Sequence, residues 1–179
     1  VPRRNADTRA EIRETALELF GQQGFSDTSL RQIAERLEIT KAALYYHFPS
    51  KQELLAEVVQ PLLQEGEALL ERAEAEGEPS LDRFLEEYFD LMRRHRAVLH
   101  VLLFDMGAIA RLTDIVPTLL TWRERAAKVI FGGDLTEERL ALAVFAVGGL
   151  QDVAFLPGES PGTALRDAAV DAALRVLKG

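Results

Sequence analysis

The stretch Thr40-Lys-Ala-Ala-Leu-Tyr-Tyr-His-Phe-Pro-Ser-Lys51 decides how the chain is read. It predicts a short helix over 41–47 whose Leu44, with Phe48, packs inward on Ile33, Leu37 and Ile39, while Lys41, Ala42, Ala43 and Tyr45 face out. Just upstream, Thr28 and Ser29 start another short helix carrying Leu30, Ile33, Ala34 and Leu37, and Glu38-Ile39-Thr40 breaks the two apart. A longer helix precedes both. Thr8-x-x-Glu11 has the form of a capping box, Ile12, Ala16, Leu19 and Phe20 share its face, and Gly24 can take the positive φ of a helix stop. Two short helices joined by a tight turn, behind a longer one, make the helix-turn-helix pattern, although any three-helix bundle has that periodicity.

Downstream, Ser50-x-x-Glu53 opens a fourth helix with Leu54, Leu55 and Val58 inward. Pro61 lies inside it without the N–H that would bond residue 57, so a kink or an early end is expected there. The acidic turn over 73–80 separates head and connecting helix from the body of the chain. Leu81, Phe84, Leu85, Tyr88, Leu91, Met92 and His95 then recur at helical spacing, and Val98 to Phe104 is apolar all round, as in a helix buried within a bundle. Further helices are expected over 115–130, from Thr136 through the apolar run 140–156, and over 164–177. No period-2 strand is bounded by turn signals. The expected fold is therefore all-α with about nine helices. A helix-turn-helix domain fills 1–50, a connecting helix 51–72, and a helical bundle 73–179.

The 179 residues are 47% apolar and 28% charged, the balance of a globular protein. The absence of cysteine excludes thiolate zinc, iron–sulfur clusters, thiol nucleophiles and disulfides. Val1 to Ala10 is too polar for a signal-peptide core, and the run 140–156 is interrupted by Gln151 and Asp152 and shorter than the roughly 20 residues of a spanning helix. A cytoplasmic protein with no membrane partner is expected. The net charge of −8 looks unfit for nucleic acid, yet residues 1–55 carry eight basic and eight acidic side chains, and all the excess acid lies beyond them. An acidic body repelled by DNA leaves the neutral head as the contact.

No catalytic constellation appears. Glu-x-x-His, a phosphate-binding loop, H-E-x-x-H and G-x-S-x-G are all missing, and His95 and His100 project about 140° apart around a helix, so neither an enzyme nor a metal or cofactor site is expected.

The quoted segment, with Ala16-Leu-Glu-Leu-Phe20, Gly24-Phe25 and Leu30-Arg-Gln-Ile33-Ala34, resembles the TetR family of transcriptional regulators over about the first 55 residues. The resemblance implies a homodimer holding two recognition helices over a palindromic double-stranded DNA operator, commonly as a repressor. A small molecule entering the C-terminal body tilts the fourth helix. In that family Gly often stands where this chain has Ala42, so the added methyl bears on how closely the backbone approaches DNA.

The candidate DNA-binding residues are Thr28, Ser29, Arg31, Thr40, Lys41, Ala42, Ala43, Tyr45, Tyr46, His47 and Lys51. Lys41 can donate to guanine and Ala42 or Ala43 can touch a thymine methyl, whereas Tyr46, His47, Lys51, Thr28 and Ser29 suit phosphate. With no Arg, Asn or Gln in 40–47, discrimination leans on thymine methyls, on Arg31 or Gln32, on Arg3 and Arg4 in the minor groove, and on DNA shape. A small apolar effector is expected among Phe89, Met92, Phe104, Met106, Trp122, Phe145 and Phe155, with His95, His100 and Gln151 as polar anchors. The dimer interface is expected at Val144, Gly148, Gln151, Phe155, Ala168, Ala172 and Val176, where Gly148-Gly149 and a row of alanines allow close helix contact. The competing readings are a helix-turn-helix that packs on protein, and a DNA-binding regulator without an effector.

Overall fold

The computed structural model describes residues 5–77, 79–105, 108, 112, 115–133, 135–156 and 163–178, without the side chains of 5, 6, 104 and 116. Among these residues it has nine helices: α1 (Asn5–Gln23), α2 (Leu30–Arg36), α3 (Lys41–His47), α4 (Lys51–Ala75), α5 (Leu81–Arg94), α6 (Arg96–Phe104), α7 (Ile115–Phe131), α8 (Glu137–Ala154) and α9 (Ala164–Lys178). The all-α expectation stands, and no strand occurs among the described residues. The chain forms two compact units that are not successive in sequence: Val1–Pro61 with Ala97–Ile115, and Leu62–Arg96 with Val116–Gly179.

In the first unit, α1 buries Ile12, Ala16 and Phe20, four residues apart, and ends where Gly24 takes φ +89° and its N–H returns to Phe20 O. The helix already runs from Asn5, so Thr8 lies within it and does not open it. Ser29 starts α2 with a reciprocal capping box: its hydroxyl oxygen accepts the Gln32 N–H at 3.2 Å, and its own N–H donates to Gln32 Oε1 at 2.7 Å. The break before α3 is a Schellman turn. Ile39 N–H bonds Ala34 O, Glu38 N–H bonds Glu35 O, and Glu38 sits at φ 54°, a left-handed position usually left to glycine.

Helix α4 continues through Pro61 to Ala75, so the early end is not observed. Its start is capped by Ser50, whose Oγ accepts the Glu53 N–H at 3.1 Å. Helix α6 is apolar in sequence but not enclosed: Val98, Leu99, Val101 and Leu102 are buried, whereas His100 and Leu103 face solvent.

In the second unit, α5 buries Phe84, Leu85, Phe89, Leu91 and Met92 and packs on both α8 and α9, which pack on each other. Arg93 of α5 donates to the Ala154 and Leu156 carbonyls at the end of α8, and Arg166 of α9 pairs with Asp90 at 3.1 Å. Helix α7 lays Trp122 on α4 so closely that a Cβ added at Gly66 would overlap the indole ring. The indole N–H donates to Glu67 at 3.2 Å, and Arg125 bridges Glu67 and Glu74.

Candidate nucleic-acid interface

Helix α3 is seven residues long with one buried side chain, Leu44. Thr40 caps it by accepting the Ala43 N–H at 3.1 Å, and Phe48, almost wholly buried, closes it. Its outer face presents Lys41, Ala42, Tyr45 and Tyr46, with Ala43 and His47 half-buried beside them. Tyr46 is 76% exposed and is not used in packing the head. The Lys41 ammonium lies 5.5 Å over the Tyr45 ring, and Tyr46 meets His47 edge-on. One face thus offers a cation, two methyls and two phenols in the first two helical turns, donors and apolar contacts of the kinds that read base edges and phosphates.

Not every expected contact residue lies on that face. Thr28 is buried, its hydroxyl donating to Gly24 O at 2.7 Å and accepting from Gln23 Nε2 at 3.1 Å. The Lys51 ammonium donates to the carbonyls of Phe25, Ser26 and Thr28 at 2.5–3.1 Å and lies over the Phe25 ring. Both residues hold the α1–α2 turn together, because the turn's carbonyls would otherwise lack partners. Ser29 is occupied as a cap, and Arg31, on α2, pairs with Glu35 at 2.7 Å while remaining mostly exposed. Arg3 and Arg4 lie outside the described residues.

Two groups the sequence did not single out complete the frame. Arg9 donates to both oxygens of Glu57 at 3.2 and 3.1 Å and to the backbone oxygen of His47 at 3.0 Å, with its guanidinium 4.5 Å over the Phe48 ring. That hydrogen-bonded guanidinium holds the Glu57 carboxyl below its usual range against a smaller opposing effect of burial. Asp105, just after α6, accepts the Phe25 N–H. These partners are 48 and 80 residues apart, beyond the reach of any local pattern.

In the second unit, Phe89, Met92 and Trp122 are buried. His95 lies 3.1 Å from Glu65 Oε1, and burial pushes that carboxyl up while Arg94 and His95 together bring it below its usual value. Gln151 is half-buried. Phe145 departs from its expected place in a pocket: it is 76% exposed, because α8 turns Ala143, Ala146, Val147 and Leu150 inward and leaves 144 and 145 outside. The side chain of Phe104, and Met106, lie outside the described residues. Of the expected interface residues, Val144, Ala168, Ala172 and Val176 are exposed, and Gly148, Gln151 and Phe155 half-buried. A Cβ built on Gly148 or Gly149 meets nothing within 4 Å. Among the described residues, no cluster of His, Asp and Glu could hold a metal, and no helix is long and apolar enough to cross a membrane.

A capped pair of short helices with an unpacked polar and aromatic face, on a head closed by a third helix, defines the class of helix-turn-helix proteins. Residues 12–58 match the profile of bacterial regulatory proteins of the tetR family. The chain is 46% identical over 52 residues to the HTH-type transcriptional regulator AcrR of Shigella flexneri, covering 29% of this chain and 24% of that protein. It is 43% identical over 60 residues to the probable acrEF/envCD operon repressor of Escherichia coli K12, covering 32% and 27%. The chain thus spans about a quarter of the length of the curated relatives it matches. Over its full length it superposes on a TetR-like transcriptional regulator from Rhodococcus sp. RHA1 with a TM-score of 0.73 and 27% identity, covering 100% of this chain and 99% of that one. A TerR/AcrR-family regulator of Aquifex aeolicus VF5, at 22% identity, 94% and 99% coverage and a TM-score of 0.75, shares the fold. Residues 12–58 thus carry the tetR-family regulatory profile, and the chain as a whole shares the fold of TetR-like transcriptional regulators.

Proposed function

We propose that this protein is a cytoplasmic transcriptional repressor that binds a palindromic DNA operator as a homodimer and is released by a small apolar effector. The observation that carries the reading is the outer face of α3, where Lys41, Ala42, Tyr45 and Tyr46 are exposed although the head has a well-buried core. The lysine, the methyl and the phenols lie on the first turns of the second short helix, where a helix-turn-helix meets the edges of bases. Repression is supported by the name of the E. coli relative, an operon repressor. The base-reading residues are Lys41, Ala42, Ala43 and Tyr45, with Thr40, Tyr46 and His47 at the backbone and Ser29 and Arg31 flanking; Thr28 and Lys51 act as frame.

Dimerisation is supported by α8 and α9. Leu140, Val144, Phe145 and Val176 are 39–76% exposed, and the open space over Gly148 and Gly149 admits a neighbouring backbone. Residues 1–50 then read DNA, 51–72 connect, and 73–179 pair and take up the effector within the apolar interior that includes Phe89, Met92 and Trp122. A ligand releases DNA only by binding the released form better, and couplings of about 1–3 kcal/mol are usual.

A mobility-shift titration with duplex DNA flanking the protein's own gene, at several salt concentrations, tests the reading. Affinity that falls steeply with salt, through counterion release, supports it. Salt-insensitive association, or no binding by a folded sample, overturns it in favour of a module that packs on protein. Repeating the titration with a panel of small apolar compounds tests the effector, and no response from any of them favours a regulator without one.

A further inference from the structure

Within its seven residues α3 buries only Leu44, with Phe48 at its end, so few packed side chains set which residues it aims outward. The Thr40 cap holds its first turn. Its last turn ends in carbonyls without helical partners, and one of them, His47 O, receives the Arg9 guanidinium at 3.0 Å. The same planar fork is clamped by both Glu57 oxygens of α4 and stacked on Phe48, which is 1% exposed, while Arg13 adds a second cation 3.5 Å from Glu57. Three elements, α1, the end of α3 and α4, therefore meet on one rigid group whose donors have fixed directions.

We propose that the Arg9–Glu57 pair positions the recognition helix, setting the roll of α3 so that Lys41, Ala42 and Tyr45 address bases, and thereby governs operator discrimination. The inference rests on the DNA-binding reading above. It separates positioning from electrostatics by sign. Glu57 is an anion in the DNA-binding head, so neutralising it raises affinity for any duplex if its charge is all that matters. As a positioning residue its loss lowers the preference for the operator over other DNA.

The experiment uses the full chain, with wild type, Arg9→Lys, Glu57→Gln and the double variant first checked for helicity and thermal midpoint. Each is titrated with the promoter duplex flanking the protein's own gene and with a scrambled duplex of equal length, across a salt series. The expected result is a loss of about tenfold in the operator-to-scrambled ratio for either single variant, the size of one lost base contact. The salt slope stays unchanged, and the double variant is no worse than the singles because both break the same unit. Equal weakening of Arg9→Lys on both duplexes, with the operator-to-scrambled ratio kept, assigns Arg9 to a phosphate and overturns the proposal. So does a Glu57→Gln protein that keeps its ratio or binds both duplexes more tightly. A wild type that binds neither duplex overturns the DNA reading itself, whereas a wild type that discriminates, alongside unchanged variants, overturns the positioning role alone.

Discussion

Leu44 of α3 and Phe145 of α8 both sit at apolar positions of helical patterns, yet the first is fully buried and the second is 76% exposed. The difference marks two kinds of surface in one chain. The helix-turn-helix buries Leu30, Ile33, Ala34, Leu44 and Phe48 and ties its turns with caps and charged hydrogen bonds, leaving outward mainly polar and aromatic groups beside the Ala42 methyl. The last two helices leave Leu140, Val144, Phe145 and Val176 in solvent. Helical periodicity reports that a face is apolar and says nothing of whether the same molecule covers it.

Four changes sharpen or break that contrast. Leu44→Ala removes the single buried anchor of α3 and lowers stability by about 2–5 kcal/mol, measured by chemical denaturation; a loss below 1 kcal/mol would mean the head is held by its polar ties instead. In the second unit, Gly66→Ala drives a methyl into the Trp122 ring and costs about 1–3 kcal/mol by the same measurement. Glu38→Gly acts in the opposite direction, because glycine takes the left-handed turn without the clash that Glu38 bears at φ 54°; a gain of up to about 1 kcal/mol is expected from calorimetry. Phe145→Asp changes the stability of the single chain by less than about 0.5 kcal/mol, since the side chain is mostly exposed, and abolishes self-association in sedimentation if α8 pairs two copies as proposed. If that variant unfolds, the α8 face belongs to the protomer's own core and the contrast fails.

Acid should act on both units in one direction. The carboxyls of Glu57, Glu74 and Glu87 are each held below the ordinary 4.5 chiefly by hydrogen bonds from Arg9, Arg125 and Arg83 respectively. Their unfolded forms therefore take up protons first. The stability they contribute is fully present above the ordinary value and is lost as pH falls below it through the lower folded values. Thermal midpoints followed downward from neutral pH should drop in that window, and the drop should be shallower in Glu57→Gln.

How much of the molecule is legible in its sequence depends on range. The two short helices, the break at Glu38-Ile39-Thr40, the stop at Gly24 and the inward Leu44 are decided by neighbours within one or two turns. Residues with distant partners are misplaced or missed. Lys51 reads as a phosphate contact because its three carbonyl acceptors lie 23–26 residues away, and Arg9 draws no notice because Glu57 is 48 residues off. Phe145 reads as pocket lining because an aromatic in an apolar run gives no sign of which half-turn of the helix faces outward. Gly66 carries no local signal either, since its need for a bare backbone arises from a tryptophan on another helix.

That tryptophan is the only one in the chain. Seated on Gly66 with its N–H on Glu67, it is a built-in fluorophore for the contact between α4 and α7. Any parting of those two helices wets the indole and reddens its emission, so a shift in that unit can be followed optically in the unlabelled protein.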